Sequence, residues 1–382
     1  MPKTYDTIII GAGISGIGCA HKLLENKYNN FKIVSPMIGG RIFESDSKTI
    51  EYGAYYVMNI YHNTAPFVKK GRKIIPAQLI FHNKGQSYKF LDKKMLTHFP
   101  ELVKLLFILR KFKKHNEKLK KSSLYRSQVN CLKNDKYLWE LYNKKAKDFV
   151  IEKGLKNITY DYMAEVLHGT AFTPIENLNA FTFLHFSLPL IVPVHEFIFK
   201  NKEVTEFLKE NYIKDEVTGI KRNRNGYELS IKLKSKLYCK NLVIATPPHI
   251  SKKLLNLKQE LRGPISAHMF HLIGEIRDKW NEADNNLFEN KNRMLAISHQ
   301  RDNSYLFYST GKNPDFNKYF LNYKILKHKY WNPAFNIENS NLVDFVQGDN
   351  LYMIGDNNIC GIEQTYIYGM YCANKILGKT KD

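Results

Sequence analysis

The sequence predicts an α/β fold, with strand–glycine–helix patterns at both ends of the chain and mixed α+β character between them. Three observations predict it. Near the amino terminus, the apolar run at residues 7–10 ends in Gly11-Ala12-Gly13-Ile14-Ser15-Gly16 and passes into a helical pattern. In the middle, alternating segments at residues 217–231 lead to Leu242-Val243-Ile244-Ala245-Thr246-Pro247-Pro248. Toward the carboxyl end, Leu351-Tyr352-Met353-Ile354 runs into Gly355-Asp356 and then a second helical pattern at residues 366–377.

Each glycine of the first stretch has a physical task. Gly11 permits a tight turn where a side chain would clash, and Gly13 lets a pyrophosphate approach the backbone. Gly16 allows the helix to pack closely on the strand. The amides that open the helix, at Ile14, Ser15 and Gly16, combine with its dipole to favour a diphosphate. Residues 31–34 complete a β-α-β unit, the context this motif requires. Just beyond come Gly39-Gly40-Arg41 and Glu51-Tyr52-Gly53-Ala54. The paired glycines again bare the backbone to a ligand, and the Arg41 guanidinium is a forked donor suited to phosphate.

On these residues the chain resembles the flavin-dependent amine oxidase and protoporphyrinogen oxidase superfamily. That family's signature is a dinucleotide fingerprint, a Gly-Gly-Arg turn, and an acidic residue before an apolar-Gly-Ala step. The resemblance implies FAD rather than NAD, in a discontinuous Rossmann-like domain at residues 1–60, 203–262 and 340–382. It implies a substrate domain at 61–202 and 263–339. Gly39, Gly40 and Arg41 would lie along the diphosphate and ribityl chain, with Gly53 and Ala54 beside the isoalloxazine. Val217 stands where family members pair a valine backbone with the adenine. Asp356, after Gly355, would meet a ribityl hydroxyl, and Gln364 and Thr365 open the helix aimed at the flavin N1–C2=O edge. A helix amino terminus there stabilises the negative charge of reduced flavin. In members with covalent flavin the cysteine precedes the Gly-Asp step, whereas Cys360 follows it, which implies non-covalent FAD.

One position departs from the family. The second strand usually ends in a Glu that chelates the ribose hydroxyls, and here that position falls on Ser35 (Val34 if the register shifts by one). Serine still hydrogen-bonds a hydroxyl but lacks a carboxylate's charge. Its other role is to start a turn before Pro36.

Composition sets outer bounds. A chain of 382 residues, 43% hydrophobic and 13% aromatic, has enough apolar surface for more than one domain. The formal net charge of +22 suits an anionic partner, yet the charge is scattered and no nucleic-acid module occurs, so the expected partner is a small-molecule substrate. The five cysteines form no CxxC and no metal spacing, and their odd number and wide separation fit a reducing compartment. Residues 1–6 run directly into the first strand and no apolar segment approaches about 20 residues, so the expected location is cytoplasmic.

The intervening chain is less specific. Residues 74–90 alternate like a strand pair turning at His82-Asn83-Lys84-Gly85. Residues 94–121 read as a helix with Leu102, Leu105, Leu106, Leu109 and Phe112 on one face and a basic end. Such a helix is either a core helix with a solvated tail or a peripheral contact with an anionic membrane. Residues 217–231 read as a hairpin with an Asn225-Gly226 turn, and 269–276, 293–298 and 304–309 as strands.

Catalytic residues are harder to place. The amine oxidase branch usually carries a lysine on the strand after the Pro-Pro segment, and here that strand holds His268 and His271 instead. Tyr55, in a tyrosine-rich stretch after Gly53, is the third candidate. The leading expectation is an FAD-dependent oxidoreductase taking hydride from an amine or related C–H donor. The alternatives are a flavin-dependent mutase or isomerase, and a non-catalytic FAD-binding protein.

Overall fold

A computed structural model describes residues 4–45, 50–54, 56–233, 236–289 and 293–381, whose strands form three sheets. The largest sheet gathers the three predicted stretches. Its central strand, Thr4–Gly13, lies between Phe31–Gly39 and Lys236–Ile244, both parallel to it. Tyr212–Lys214 and Leu351–Met353 continue the parallel order outward on either side. A sheet covered on both faces reads as an unbroken apolar run, and Ile8, Ile9 and Ile10 are all buried. Their alternation divides them between two cores. Ile9 joins the main core, while Ile8 and Ile10 join Val34, Val217, Leu242 and Ile244 on the other face.

The helix Ile14–Glu25 leaves the first strand and crosses the carboxy-terminal helix Ile362–Ile376. Two glycines set the closeness of that crossing. A Cβ on Gly18 would lie 2.4 Å from Tyr366 O, and one on Gly369 would lie 2.0 Å from Ser15 O. The two ends of the chain are thereby locked together beside the glycine turn.

The middle hairpin corrects one expectation. Its strands are Val217–Asn223 and Gly226–Ile231, with Asn223 paired to Gly226, so the turn is Arg224-Asn225 and not Asn225-Gly226. Gly226 belongs to the strand instead. Its φ is +134° and a Cβ there would lie 2.1 Å from Cys239 O, so the glycine serves close approach to the neighbouring strand.

A seven-stranded sheet forms the second layer, running from Phe320–Glu338 and Gly263–Ile276 at one edge to Leu79–Asn83 and Gln86–Lys89 at the other. The last pair turns at Lys84-Gly85, both at positive φ, inside the predicted stretch. A small sheet of Tyr56–Met58, Val194–Phe199 and Val68–Ile74 stands beside it. Helices occupy residues 93–187. The predicted helix at 94–121 is two helices, Lys93–Thr97 and Phe99–Ser122, parted at His98; Pro100 sits in the second one's first turn, where its missing amide breaks no helix bond. Leu105, Leu109 and Phe112 are buried as the periodicity predicts, and so is Lys120 at the basic end. Among the described residues no helix is long and apolar enough to cross a membrane.

Candidate functional site

The glycine turn has the geometry of a ligand cradle. Gly11 takes φ +107°, and a Cβ there would lie 2.6 Å from Ala245 O. A Cβ on Gly16 would lie 2.0 Å from Gly11 O, so the helix can start this close to the strand only without a side chain. Gly13 differs from both, because a Cβ there would meet nothing within 4 Å. The first two glycines are required by the protein's own packing; the third faces open space. Gly40, at φ +62°, brings the second glycine turn to the same place, its added Cβ 3.2 Å from the Cα of Gly13.

Arg41 reaches from that turn to the far end of the chain. Its guanidinium donates to Asp356 Oδ1 at 2.6 Å and to Ala334 O at 3.0 Å. Asn336 Nδ2 donates to the other carboxylate oxygen at 3.4 Å. Burial opposes both charges, but each is the other's counter-ion. Arg41 is held above its ordinary pKa and Asp356 below its own. Two residues that the sequence separates by most of its length thus form one charged pair beside the glycines. Ser35 is buried, and its hydroxyl donates to Met37 O at 2.8 Å, a turn-forming bond. Its lone pairs remain able to accept from a ribose hydroxyl. Val217 opens the hairpin with its side chain in the second core.

Gly361 caps the carboxy-terminal helix, and Glu363, Gln364 and Thr365 fill its first turn, all buried. The sequence reading passed over Glu363. This carboxylate accepts from the amides of His62, Asn63 and Thr64 and from the side chains of Asn63 and Thr64. Cys360 lies just before the cap, and burial followed by the Asp356 carboxylate pushes its thiol up to about 12. A thiol so rarely ionised is a poor nucleophile.

Of the catalytic candidates, His271 and His268 lie on opposite faces of one strand, and Tyr55 lies outside the described residues. His271 faces the glycine-rich stretch. Its Nε2 is 2.8 Å from Ser304 Oγ, which donates onward to Asp302 at 2.6 Å. The imidazole Nε2 therefore carries the hydrogen, and Nδ1 accepts from Tyr52 OH at 2.9 Å. Both ring nitrogens are thus engaged, Nε2 with Ser304 and Nδ1 with Tyr52, the residue before Gly53. His268 instead stacks on Tyr330 and pairs with His328 at 2.9 Å on the other face, apart from the glycine turns.

Glu51, the acidic residue of the second motif, is largely buried. Phe199 N donates to its Oε1 at 2.7 Å, while Oε2 has no partner among the described residues. Burial raises its pKa from 4.5 to about 7. The folded protein then holds a proton that the unfolded chain has lost between those values, so stability falls as pH rises from 4.5 to about 7 and is level above. Glu51→Gln is expected to match wild type near pH 4.5 and to exceed it by up to about 3 kcal/mol at pH 8. Urea denaturation at the two pH values measures this, and an equal effect at both would refute the assignment.

No protein-family profile matches the sequence, and no curated protein matches it. Solved structures match it over nearly its whole length. A putrescine oxidase double mutant superposes with a TM-score of 0.69 at 11% identity, covering 99% of this chain and 100% of that one. The chain has the fold of putrescine oxidase. A CLA-producing fatty acid isomerase from P. acnes gives 0.67 at 11% identity, over 98% and 99% of the two chains. Reduced UDP-galactopyranose mutase gives 0.61 at 10% identity, over 100% and 95%. In this fold the parallel sheet with its glycine turn, Arg41 and Asp356 lies on one side, and the seven-stranded sheet bearing His271 on the other.

Proposed function

We propose that the protein is an FAD-dependent oxidoreductase that takes a hydride from an amine or a related small-molecule C–H donor, with the flavin held non-covalently. The observation that carries this reading is the open space above Gly13, bordered by Gly40, with the Arg41–Asp356 pair beside it. Backbone amides at a helix start, bare glycines and a forked cation form a site for a dinucleotide diphosphate. The fold shared with putrescine oxidase supports it.

When bound, FAD supplies the two-electron acceptor. The chain's residues supply binding and electrostatics. Gly11, Gly13 and Gly16 shape the turn, with Ile14 and Ser15 opening the helix over the diphosphate. Gly39, Gly40 and Arg41 would continue the contact, and Asp356, already accepting from Arg41 and Asn336, would also accept from a ribityl hydroxyl. The amides of Gln364 and Thr365, at a helix amino terminus, favour negative charge at the ring's edge. Gly53 is required by the protein's own packing, since a Cβ there would lie 1.8 Å from Arg41 O, and with Ala54 it would run beside the ring. Tyr56 and Tyr61 are kept protonated, chiefly by burial.

The absorption spectrum of the purified protein tests this directly. Flavin bands that pass into the supernatant on acid denaturation are expected. Bands retained by the precipitate would contradict the non-covalent assignment, and no bands even after added FAD would sink the flavoprotein reading. A second reading, a flavin-dependent isomerase or mutase, is favoured by the similarity to the isomerase and the mutase. It predicts turnover without acceptor consumption, which an oxygen electrode distinguishes.

A further inference from the structure

We propose that the outer face of the helix Phe99–Ser122 is a docking surface for an anionic phospholipid bilayer, on which the protein sits peripherally. The helix is two-faced. Leu105, Leu109, Phe112, Asn116 and Leu119 are turned into the molecule and buried. Seven side chains between Lys104 and Lys121 are exposed. Apart from Phe107 every one is basic: Lys104, Arg110, Lys111, Lys114, Lys118 and Lys121. Spacings of three and four residues carry them along one side of the helix. At the helical rise the stripe is about 25 Å long.

The protein does not neutralise these cations. Among the described residues the helix makes two ion pairs, His115 with Asp135 and Lys120 with Glu117, and neither uses the stripe. Arg110 lies instead over the Phe107 ring, 5.5 Å from its centroid, and Lys111 over Tyr137 at 4.5 Å. Surface lysines are ordinary; the apolar groups among them are not. Phe107 is 63% exposed, and on either side of the bend at His98, Leu96 is 72% and Phe99 57% exposed. Phe99 stands two turns before Leu106 on the same flank of the helix. Leu106 lines a surface cavity of about 560 Å³, where Leu190 and Ile191 complete an apolar wall and Arg110, Lys113 and Lys114 supply cations. The one carboxylate in that wall, Glu117, is taken by Lys120 at 2.6 Å.

Charge and apolarity together name the occupant. A bilayer with acidic head groups attracts nearby Lys and Arg side chains, and it takes large apolar side chains into the boundary between head groups and acyl chains. Phe107, Phe99 and Leu96 enter that boundary, while the lysine stems carry their charges to the phosphates. The cavity offers cations to one lipid phosphate and an apolar wall to the chains below it. A nucleic acid would use the cations but not the aliphatic groups, because leucine and isoleucine give a base no plane to stack on. The helix thus serves both ends of its amphipathic pattern, the inner face in the core and the outer face on the membrane. The chain's formal charge of +22 favours the approach to such a surface.

Co-sedimentation of the purified full-length protein with lipid vesicles is the test. Phosphatidylcholine vesicles containing about 30% phosphatidylglycerol are expected to bind it at least tenfold more tightly than phosphatidylcholine alone, and about 0.5 M NaCl to release most of it. Lys104→Gln, Lys114→Gln and Lys118→Gln combined are expected to weaken that binding about tenfold at unchanged Tm, since all three side chains are exposed and outside the helix's ion pairs. Phe107→Ser is expected to weaken it several-fold. In Phe107→Trp, the added tryptophan is expected to emit at shorter wavelength on the acidic vesicles only. Equal binding to both kinds of vesicle overturns the proposal, as does binding to acidic vesicles that the triple substitution leaves unchanged. An unshifted Phe107→Trp emission from bound protein also overturns it. Binding of a single-stranded RNA as tight as that of the acidic vesicles, and unchanged in Phe107→Ser, would assign the face to nucleic acid instead.

Discussion

Gly13→Ala is expected to yield a protein as stable as wild type that no longer keeps its flavin. The expectation follows from what surrounds each glycine of the turn. Gly13 is the residue before the first helix, with φ −77° and ψ −180°, a conformation open to any residue, and an added Cβ meets nothing within 4 Å. Exchanging glycine for alanine at such a cap changes stability by no more than about 0.5–1 kcal/mol. The same methyl would stand in the open approach to the helix amides, and a fall of at least tenfold in flavin affinity is expected. Gly16→Ala provides the contrast. Its Cβ would sit 2.0 Å from Gly11 O, a backbone atom that cannot rotate away, so the helix must lift off the strand. A loss of about 3 kcal/mol or more is expected there, whether or not flavin is present. Urea denaturation and flavin content, measured on both variants, separate the two roles. Retention of flavin by Gly13→Ala at wild-type affinity would place the diphosphate elsewhere.

The half of the molecule that carries the glycine turns was legible in the sequence because such turns are local. Gly11, Gly13 and Gly16 are close neighbours, and the strand before them and the helix after them can be read from apolar periodicity alone. Arg41 and Asp356 were legible singly, each from its own motif. Their ion pair was not, because only the folded sheet brings them together. The helical region was largely illegible for the same reason. Asn116 and Lys120 stand where the apolar stripe of Leu105, Leu109 and Phe112 should continue, but a basic helix end masked them. The parity of His268 and His271 on one strand already puts them on opposite faces; only the structure shows that His271 faces Tyr52. Gly226 misled because an Asn-Gly pair is the strongest hairpin signal, whereas here the glycine is needed for strand contact one residue later.

Glu363→Gln is expected to cost about 3 kcal/mol although it changes neither size nor shape. The carboxylate is fully buried, and its two oxygens accept five hydrogen bonds from His62, Asn63 and Thr64, at 2.8 to 3.1 Å. An amide has one oxygen to offer. Turned one way, its NH₂ faces three donors, from His62 and Asn63; turned the other, it faces Thr64 N, with the Thr64 hydroxyl rotating to accept. Either way at least one amide is buried without its acceptor and the charge is lost. The charge is also favoured where it stands, in the first turn of the carboxy-terminal helix. What depends on it is the chain's passage from the second glycine motif into the small sheet. Thr64 O accepts from the amides of Phe67 and Val68, which begin the strand Val68–Ile74. Tyr61, one residue before the anchored loop, is itself buried. A lower urea midpoint with earlier proteolytic cleavage near residues 62–64 is therefore expected, together with weaker flavin retention. Thr64→Val removes one donor and leaves the charge in place, so it should cost only about 1 kcal/mol. If Glu363→Gln proved no more harmful than Thr64→Val, water would have to be satisfying those amides, and the carboxylate would not be what holds the loop to the helix.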